Sequence, residues 1–154
     1  MSPEFRENPQ HQDDKLPDPE FGSDESLYRR FNPQQHLIEG VLSPLAFQFP
    51  RQSFNRGKYS KPEHVLHPDC CDGKELAGWL VATLLVGEVP EQKETGDGRT
   101  FRFFLRHTPK EYCYSHSEIW CNLHTSSSDE YSQPPKTVRE YLRAELARKA
   151  RYQN

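Results

Sequence analysis

Two histidines and a glutamate are this sequence's best candidates for acid–base or metal chemistry. From Ser115 to His124 the chain alternates, with Ile119, Cys121 and Leu123 on one side and His116, Glu118, Trp120, Asn122 and His124 on the other. The preceding strand-like run ends at His107, and a hairpin joining the two runs would bring His107 close to His116. Directly opposed residues in such a pair have Cα atoms about 4.5–5.5 Å apart. Two imidazoles and a carboxylate at that distance can act as general acid and base, or offer N and O ligands to a metal. The sequence therefore nominates His107, His116 and Glu118 as catalytic candidates. Arg102 and Arg106 share one face of the run Thr100 to His107 and are the anion-binding candidates. Against this stands the commoner fate of a polar strand face, which is to be solvated.

Other constellations are weaker. Cys113 with His116 and Cys121 with His124 are two Cys-x-x-His pairs, and His64, His67, Cys70 and Cys71 lie upstream. Thiolate and imidazole suit zinc. Three positions apart on a strand, however, Cys121 and His124 point to opposite faces, and Cys121 reads as a small buried hydrophobe. No metal is expected, and no pattern names a cofactor. An arginine on an early strand (Arg29 or Arg30), Ser53 on a middle one and Glu118 on a late one superficially resemble the Arg–Ser–Glu order of ADP-ribosyltransferases. The likeness covers three single residues, without the Ser-Thr-Ser triplet or a Glu-x-Glu pair. Neither a nucleophile-elbow serine nor a phosphate-binding or Rossmann glycine loop is present.

These residues must be positioned by a small set of elements. Leu27 to Phe31 reads as a short strand closed by Asn32-Pro33, and Leu45 to Phe49 as a second, ended by Pro50. Ser53 to Arg56 extends it after a turn, and Gly57 breaks the run. Ser60 and Glu63 form a capping box with Pro62 in the first turn, predicting a short helix. Trp79 to Val86, between Gly78 and Gly87, is read as a buried strand. Glu91 to Gly98 reads as a hairpin connection, and Thr100 to His107 alternates most clearly. The last segment is helical, with Thr137 and Glu140 as a capping box and Val138, Tyr141, Leu142 and Leu146 as one apolar stripe.

Composition sets the organisation. The chain has 154 residues, enough for one domain, but its hydrophobic fraction is 33 % and its mean hydropathy is -0.98. Typical globular domains run at about 45–50 % with glycine counted, so part of the chain is expected not to fold. The 9 Phe, 7 Tyr and 2 Trp nevertheless suffice for a compact core elsewhere. Residues 1–26 hold eight acids against Arg6 and Lys15, a balance of -6, which leaves +3 on the rest of a chain whose net charge is -3. With four prolines and little to bury, this stretch is expected to be a disordered, solvating tail. The longest apolar run is far short of the ~20 residues needed to cross a bilayer. No secretory signal opens the chain, and four cysteines form no evident disulfide framework, so a cytoplasmic home is expected.

The phrases Leu27-Tyr28-Arg29-Arg30, Ser53-Phe54-Asn55-Arg56-Gly57-Lys58-Tyr59-Ser60-Lys61-Pro62-Glu63 and His107-Thr108-Pro109 followed by His116-Ser117-Glu118-Ile119 resemble small uncharacterised bacterial proteins. The resemblance implies a bacterial cytosolic origin and carries no activity with it. The expected fold is α+β, a small antiparallel or mixed sheet of about five strands with one short helix and a C-terminal helix packed on it. The expected divisions are a tail at 1–26, the domain at 27–124, a polar linker at 125–135 and the docked amphipathic helix at 136–154. The favoured function is a non-catalytic interaction or accessory module for a protein partner, without membrane and without an expected nucleic-acid role. The alternatives are a small His-dependent hydrolase acting on a phosphate or glycosidic bond and, more weakly, an ADP-ribosyltransferase-like enzyme. Oligomeric state is not written in the sequence.

Overall fold

The structure, a computed structural model, describes residues 16–48, 52–68, 76–111, 113–125 and 130–153. Seven of its strands form one antiparallel sheet: β1 (Ser26–Phe31), β4 (Gln52–Arg56), β5 (Leu80–Leu85), β6 (Gln92–Glu94), β7 (Thr100–His107), β8 (His116–Leu123) and β9 (Arg151–Tyr152). Their spatial order is β6-β7-β8-β4-β1-β5-β9. A separate two-stranded ribbon pairs β2 (Leu37–Ile38) with β3 (Val41–Leu42). The other described elements are three α-helices, α1 (Pro33–His36), α2 (Pro62–Val65) and the long α3 (Lys136–Lys149), and two 3-10 turns at Pro44–Ala46 and Val86–Glu88. The architecture is α+β as expected. The sheet is larger than five strands because two short edge strands, β6 and β9, carry too few residues to show a period in sequence.

The clearest patterns become the central pairings. All six residues of β5 pair with β1, from Ser26 opposite Leu85 to Phe31 opposite Leu80. The run expected as a strand at Trp79 to Val86 is thus a strand over Leu80–Leu85, as its length and flanking glycines favour, with Val86 opening a 3-10 turn. The connection before β7 closes on Gly98, whose φ of 88° is in the left-handed region that favours glycine, and the Gly98 amide donates to the Thr95 carbonyl at 3.1 Å. Leu27, Phe31, Phe54, Phe101, Ile119 and Cys121 project from one face of the sheet and are at most 2 % exposed. Val138, Leu142 and Leu146 of α3 join the same core at 0 % exposure, so the predicted apolar stripe is the docking face. Burying each such aliphatic side chain is worth roughly 1.5–3 kcal/mol.

Several local expectations are corrected. Ser60 does not cap α2: its hydroxyl donates to the Arg56 carbonyl, and Lys61 holds the cap position without a side-chain bond. Thr137 does not cap α3, because the helix already begins at Lys136 behind Pro135, and Glu140 instead faces Lys136 one turn back at 3.7 Å. The expected strand from Leu45 is a 3-10 turn at Pro44–Ala46, whose Ser43 side chain accepts from the Leu45 amide; Phe49 and Pro50 lie outside the described residues. The C-terminal helix stops at Lys149, since Ala150 is extended and Arg151–Tyr152 pair with β5. Of the expected polar linker at 125–135, residues 126–129 lie outside the described residues, and residues 130–135 make packed contacts. The Ser132 amide donates to the Cys121 carbonyl at 2.9 Å, Pro134 is buried, and Tyr131 packs edge-on against Trp120.

Of the expected tail at 1–26, residues 1–15 lie outside the described residues, while residues 16–25 are held against the sheet. Tyr114 Oη donates to the Leu16 carbonyl at 2.6 Å, the Asp18 amide donates to His107 at 2.8 Å, and Arg56 binds the carbonyls of Asp18 and Glu20. Low hydrophobicity predicts that such a segment cannot bury itself, but it does not anticipate main-chain groups recruited by polar side chains far along the chain. No helix among the described residues is long and apolar enough to cross a membrane.

Candidate functional site

Register decides which of the nominated residues meet. His107 of β7 lies opposite Ser117 of β8, while Arg106 lies opposite Glu118. Since side chains alternate between faces, His107 stands on the core face with Phe103 and Ile119, and His116, Glu118 and Trp120 stand on the other. His116 pairs with Asn55 of β4 and reaches past the end of β7 to Thr108. The two histidines are close in sequence across the hairpin but occupy opposite faces of the sheet. The expected His107–His116–Glu118 convergence therefore does not form; only His116 and Glu118 share a face.

His107 is 5 % exposed and fully engaged. Its Nδ1 accepts from the Asp18 amide at 2.8 Å, and its Nε2 lies 2.6 Å from the Tyr114 carbonyl. An amide can only donate and a carbonyl only accept, so the ring is the Nε2–H tautomer. It stacks on Tyr59 with centroids 5.6 Å apart and meets Tyr114 edge-on at 4.7 Å. Burial holds its pKa below the usual imidazole value despite the Tyr114 carbonyl.

On the opposite face, His116 is held through Nδ1, which lies 3.0 Å from the Thr108 carbonyl and 2.9 Å from its hydroxyl. Burial, and then the Lys110 charge, pull its pKa down to about 4, so the ring is neutral at neutral pH. Arg106 lies across the ladder from Glu118 and sets its guanidinium 4.5 Å from the Trp120 ring centre. Arg102 Nε donates to Asn122 Oδ1 at 3.2 Å. Both anion-binding candidates thus have partners within their own sheet. Ser53 is directly opposite Glu118 across β4 and β8. Arg29, by contrast, is turned to the core face, where it donates to the carbonyls of Ala46 (2.6 Å) and Ser53 (2.8 Å), and burial lowers its pKa to about 10. Arg30 donates to the Val65 carbonyl.

The cysteine–histidine pairs divide similarly. Cys121 is buried in the core, while His124 lies just beyond the end of β8 and is exposed. Cys113 receives a hydrogen bond from Asn55 Nδ2 at 2.9 Å. Cys70 and Cys71 lie outside the described residues. Among the described residues no group of three or more His, Cys, Asp or Glu side chains could hold a metal ion.

The densest polar arrangement is one that periodicity did not single out. Arg56 is 0 % exposed at the end of β4 and meets a carboxylate in a two-pronged pair, Nε to Glu25 Oε2 and Nη2 to Glu25 Oε1, both 2.8 Å. Its Nη1 donates to the Asp18 carbonyl at 2.6 Å and its Nη2 to the Glu20 carbonyl at 2.5 Å, while the Phe21 ring lies over it at 3.8 Å. The Asp18 carboxylate accepts from Lys58 Nζ at 2.8 Å and from the Tyr59 hydroxyl. Burial would raise the Asp18 pKa, but the bonds from Lys58, Tyr59 and the Glu20 amide outweigh it and hold the carboxyl well below the usual carboxylate range. Burial and the Asp18 bond push Tyr59 up to about 12, keeping its hydroxyl a donor. The sequence carried one signal for this: continuing the alternation of Gln52 and Phe54 puts Arg56 on the core face, where a guanidinium demands acids, and residues 18–25 supply them. Gly57 permits the closure, since a Cβ there would come within 2.9 Å of the Ser26 carbonyl.

Two described clefts, of about 540 and 560 Å³, lie beside this end of the sheet. One is lined by Glu20, Asp24, Glu25 and Lys58 among others, the other by Tyr28, Leu66, Trp79 and Tyr152 among others, and neither includes His107, His116 or Glu118. No protein-family model, curated protein or solved structure matches the chain.

Proposed function

We propose that this protein is a non-catalytic interaction module. The observation that carries the reading is the state of His107, whose two ring nitrogens are both committed to main-chain groups, the Asp18 amide and the Tyr114 carbonyl. A general acid or base needs a ring nitrogen within hydrogen-bond reach of substrate. A histidine spent on holding backbone serves positioning instead. Arg56 acts in the same sense, dividing its donors between one carboxylate and two carbonyls.

A hydrolase using His116 and Glu118, with Arg106 as anion binder, is the second reading. One observation favours it: Nδ1 of His116 is tethered to Thr108, and no described residue engages Nε2. A base with a pKa near 4 is nevertheless a weak one at neutral pH. The ADP-ribosyltransferase-like reading has the Ser53–Glu118 pairing with Arg30 on the same face, but Arg30 donates to the Val65 carbonyl and Arg29 lies on the opposite face.

The test compares the chain with His116→Ala and Glu118→Gln on 4-nitrophenyl phosphate, bis(4-nitrophenyl) phosphate and 4-nitrophenyl glycosides from pH 4 to 8. The expected result is no turnover that either substitution removes. A rate above background that is lost in both variants, with their folds intact, would establish the hydrolase instead.

A further inference from the structure

We propose that the groove formed by Arg56, Lys58, Tyr59, His107 and Tyr114 is a recognition site for an extended acidic peptide segment of a partner protein, and that residues 16–21 of this chain occupy it in its place. The proposal rests on the interaction-module reading and names the kind of partner it serves.

The character of the contacts carries it. Leu16, Asp18 and Glu20 are held by their main-chain atoms: the Leu16 carbonyl by Tyr114, the Asp18 amide by His107, and the Asp18 and Glu20 carbonyls by Arg56. Every extended peptide offers these groups, so the groove reads a backbone conformation first. The side chains of Leu16, Pro17, Pro19 and Glu20 stay exposed. A segment serving mainly to complete the core would bury them.

Two side chains alone are inserted. The Asp18 carboxylate meets Lys58 and Tyr59, with Arg56 Nη1 3.7 Å away, and the Phe21 ring covers the Arg56 guanidinium at 3.8 Å. An aspartate followed three residues later by an aromatic ring is therefore the side-chain pattern the groove selects. Pro17 and Pro19 flank the aspartate, and proline fixes φ near -65°, which lowers the entropy lost when such a segment docks. The charges agree: the groove side contributes Arg56 and Lys58, and the segment contributes Asp18 and Glu20 with no base between residues 16 and 25.

A segment attached to its own groove competes at an effective concentration in the millimolar range, which masks the site from a partner peptide present at micromolar levels. Opening the groove should expose it. The probe is a fluorescein-labelled peptide of residues 15–22 (Lys-Leu-Pro-Asp-Pro-Glu-Phe-Gly), titrated with the full chain and followed by anisotropy. Asp18→Lys places an ammonium against Lys58 and Arg56 and should release the chain's own segment. Binding is expected to be at least about tenfold tighter to this variant than to the unaltered chain. It should weaken when Lys58→Glu is added, a change at a half-exposed side chain, and when the peptide carries Asn in place of its aspartate.

Absence of saturable binding to a folded Asp18→Lys chain would overturn the proposal, as would binding indifferent to both the Lys58→Glu change and the peptide's aspartate. A second measurement uses the unaltered chain and needs no variant to fold. Millimolar unlabelled peptide should speed hydrogen exchange at the Asp18 amide, now protected by His107, and an unchanged exchange rate would overturn the proposal equally. Turnover in the hydrolase assays together with peptide binding would remove the non-catalytic reading and keep the groove. No binding together with no turnover would remove the groove alone.

Discussion

Arg56→Met is the perturbation that most directly tests the buried cluster. The guanidinium is 0 % exposed, and its principal partner Glu25 has a side chain only 8 % exposed. Methionine fills much of the same volume, so little of the effect comes from a cavity. What is lost is the charge that offsets burial of the Glu25 carboxylate, together with donors to the Asp18 and Glu20 carbonyls. Breaking one side of a buried ion pair costs about 3–5 kcal/mol, because the other charge is left uncompensated. That is a large share of the roughly 5–15 kcal/mol by which domains are stable. At about 2–4 °C per kcal/mol for a chain of this size, Tm should fall by roughly 6–20 °C. The loss is read by urea unfolding followed through Trp79 and Trp120 fluorescence, with linear extrapolation to water. Adding Glu25→Leu removes the stranded carboxylate, and the double variant should recover about 2–3 kcal/mol relative to the sum of the two single changes. A single-variant cost below about 1 kcal/mol, or strict additivity, would refute the view that Arg56 and Glu25 act as a coupled buried pair.

Three further outcomes follow from the geometry. Asp18 has a folded pKa held far below its unfolded value, so its stabilisation is complete above about pH 4 and is lost as pH falls toward the folded value. Below pH 4 the unaltered chain should lose stability more steeply than Asp18→Asn, by up to about 1.4 kcal/mol per pH unit, and equal slopes in acid urea titrations would contradict the bonds drawn to Lys58 and Tyr59. His116 is also depressed, to about 4, but as a base it gives a different window: its contribution is whole above about pH 6.5 and fades as pH falls through 4. Its imidazole resonances should stay at their neutral-ring positions from pH 7 to 5, and a titration midpoint near 6.5 would show the ring to be solvated and untethered. Cys121 is fully buried, with burial pushing its thiol up to about 12, and Cys113 is 3 % exposed. Peptide mapping after iodoacetamide should find both unmodified in the native chain and alkylated in urea, whereas rapid native alkylation of Cys121 would place it outside the core.

Much of the sheet was legible residue by residue. Phe101 and Phe103 alternate with Arg102 and Phe104, and Ile119 and Cys121 with Glu118 and Trp120, and these strands occupy the expected faces. Val138, Leu142 and Leu146 marked the buried stripe of α3. Where the chain was misread, a local signal lost to a tertiary one. Ser60 and Thr137 have good capping chemistry, but Ser60 is bonded to Arg56 and α3 starts before Thr137. Residues 16–25 look unfoldable alone, and they are ordered by Arg56, Tyr59, His107 and Tyr114, with the Asp18–His107 bond spanning 89 positions.

The amino-acid order alone sets what each strand shows to its two faces, because side chains alternate with a period of two that needs no partner to be read. It determined that His116 and Glu118 share a face, that Cys121 is buried, and that the first 26 residues are acidic. Tertiary packing set how the strands are aligned. Pairing His107 with Ser117 rather than with His116 sends one histidine into the core and leaves the other outside, since a shift of one residue exchanges the faces. It alone also brought the acidic segment onto Arg56, because a buried guanidinium must find carboxylates and carbonyls wherever the folded chain can supply them.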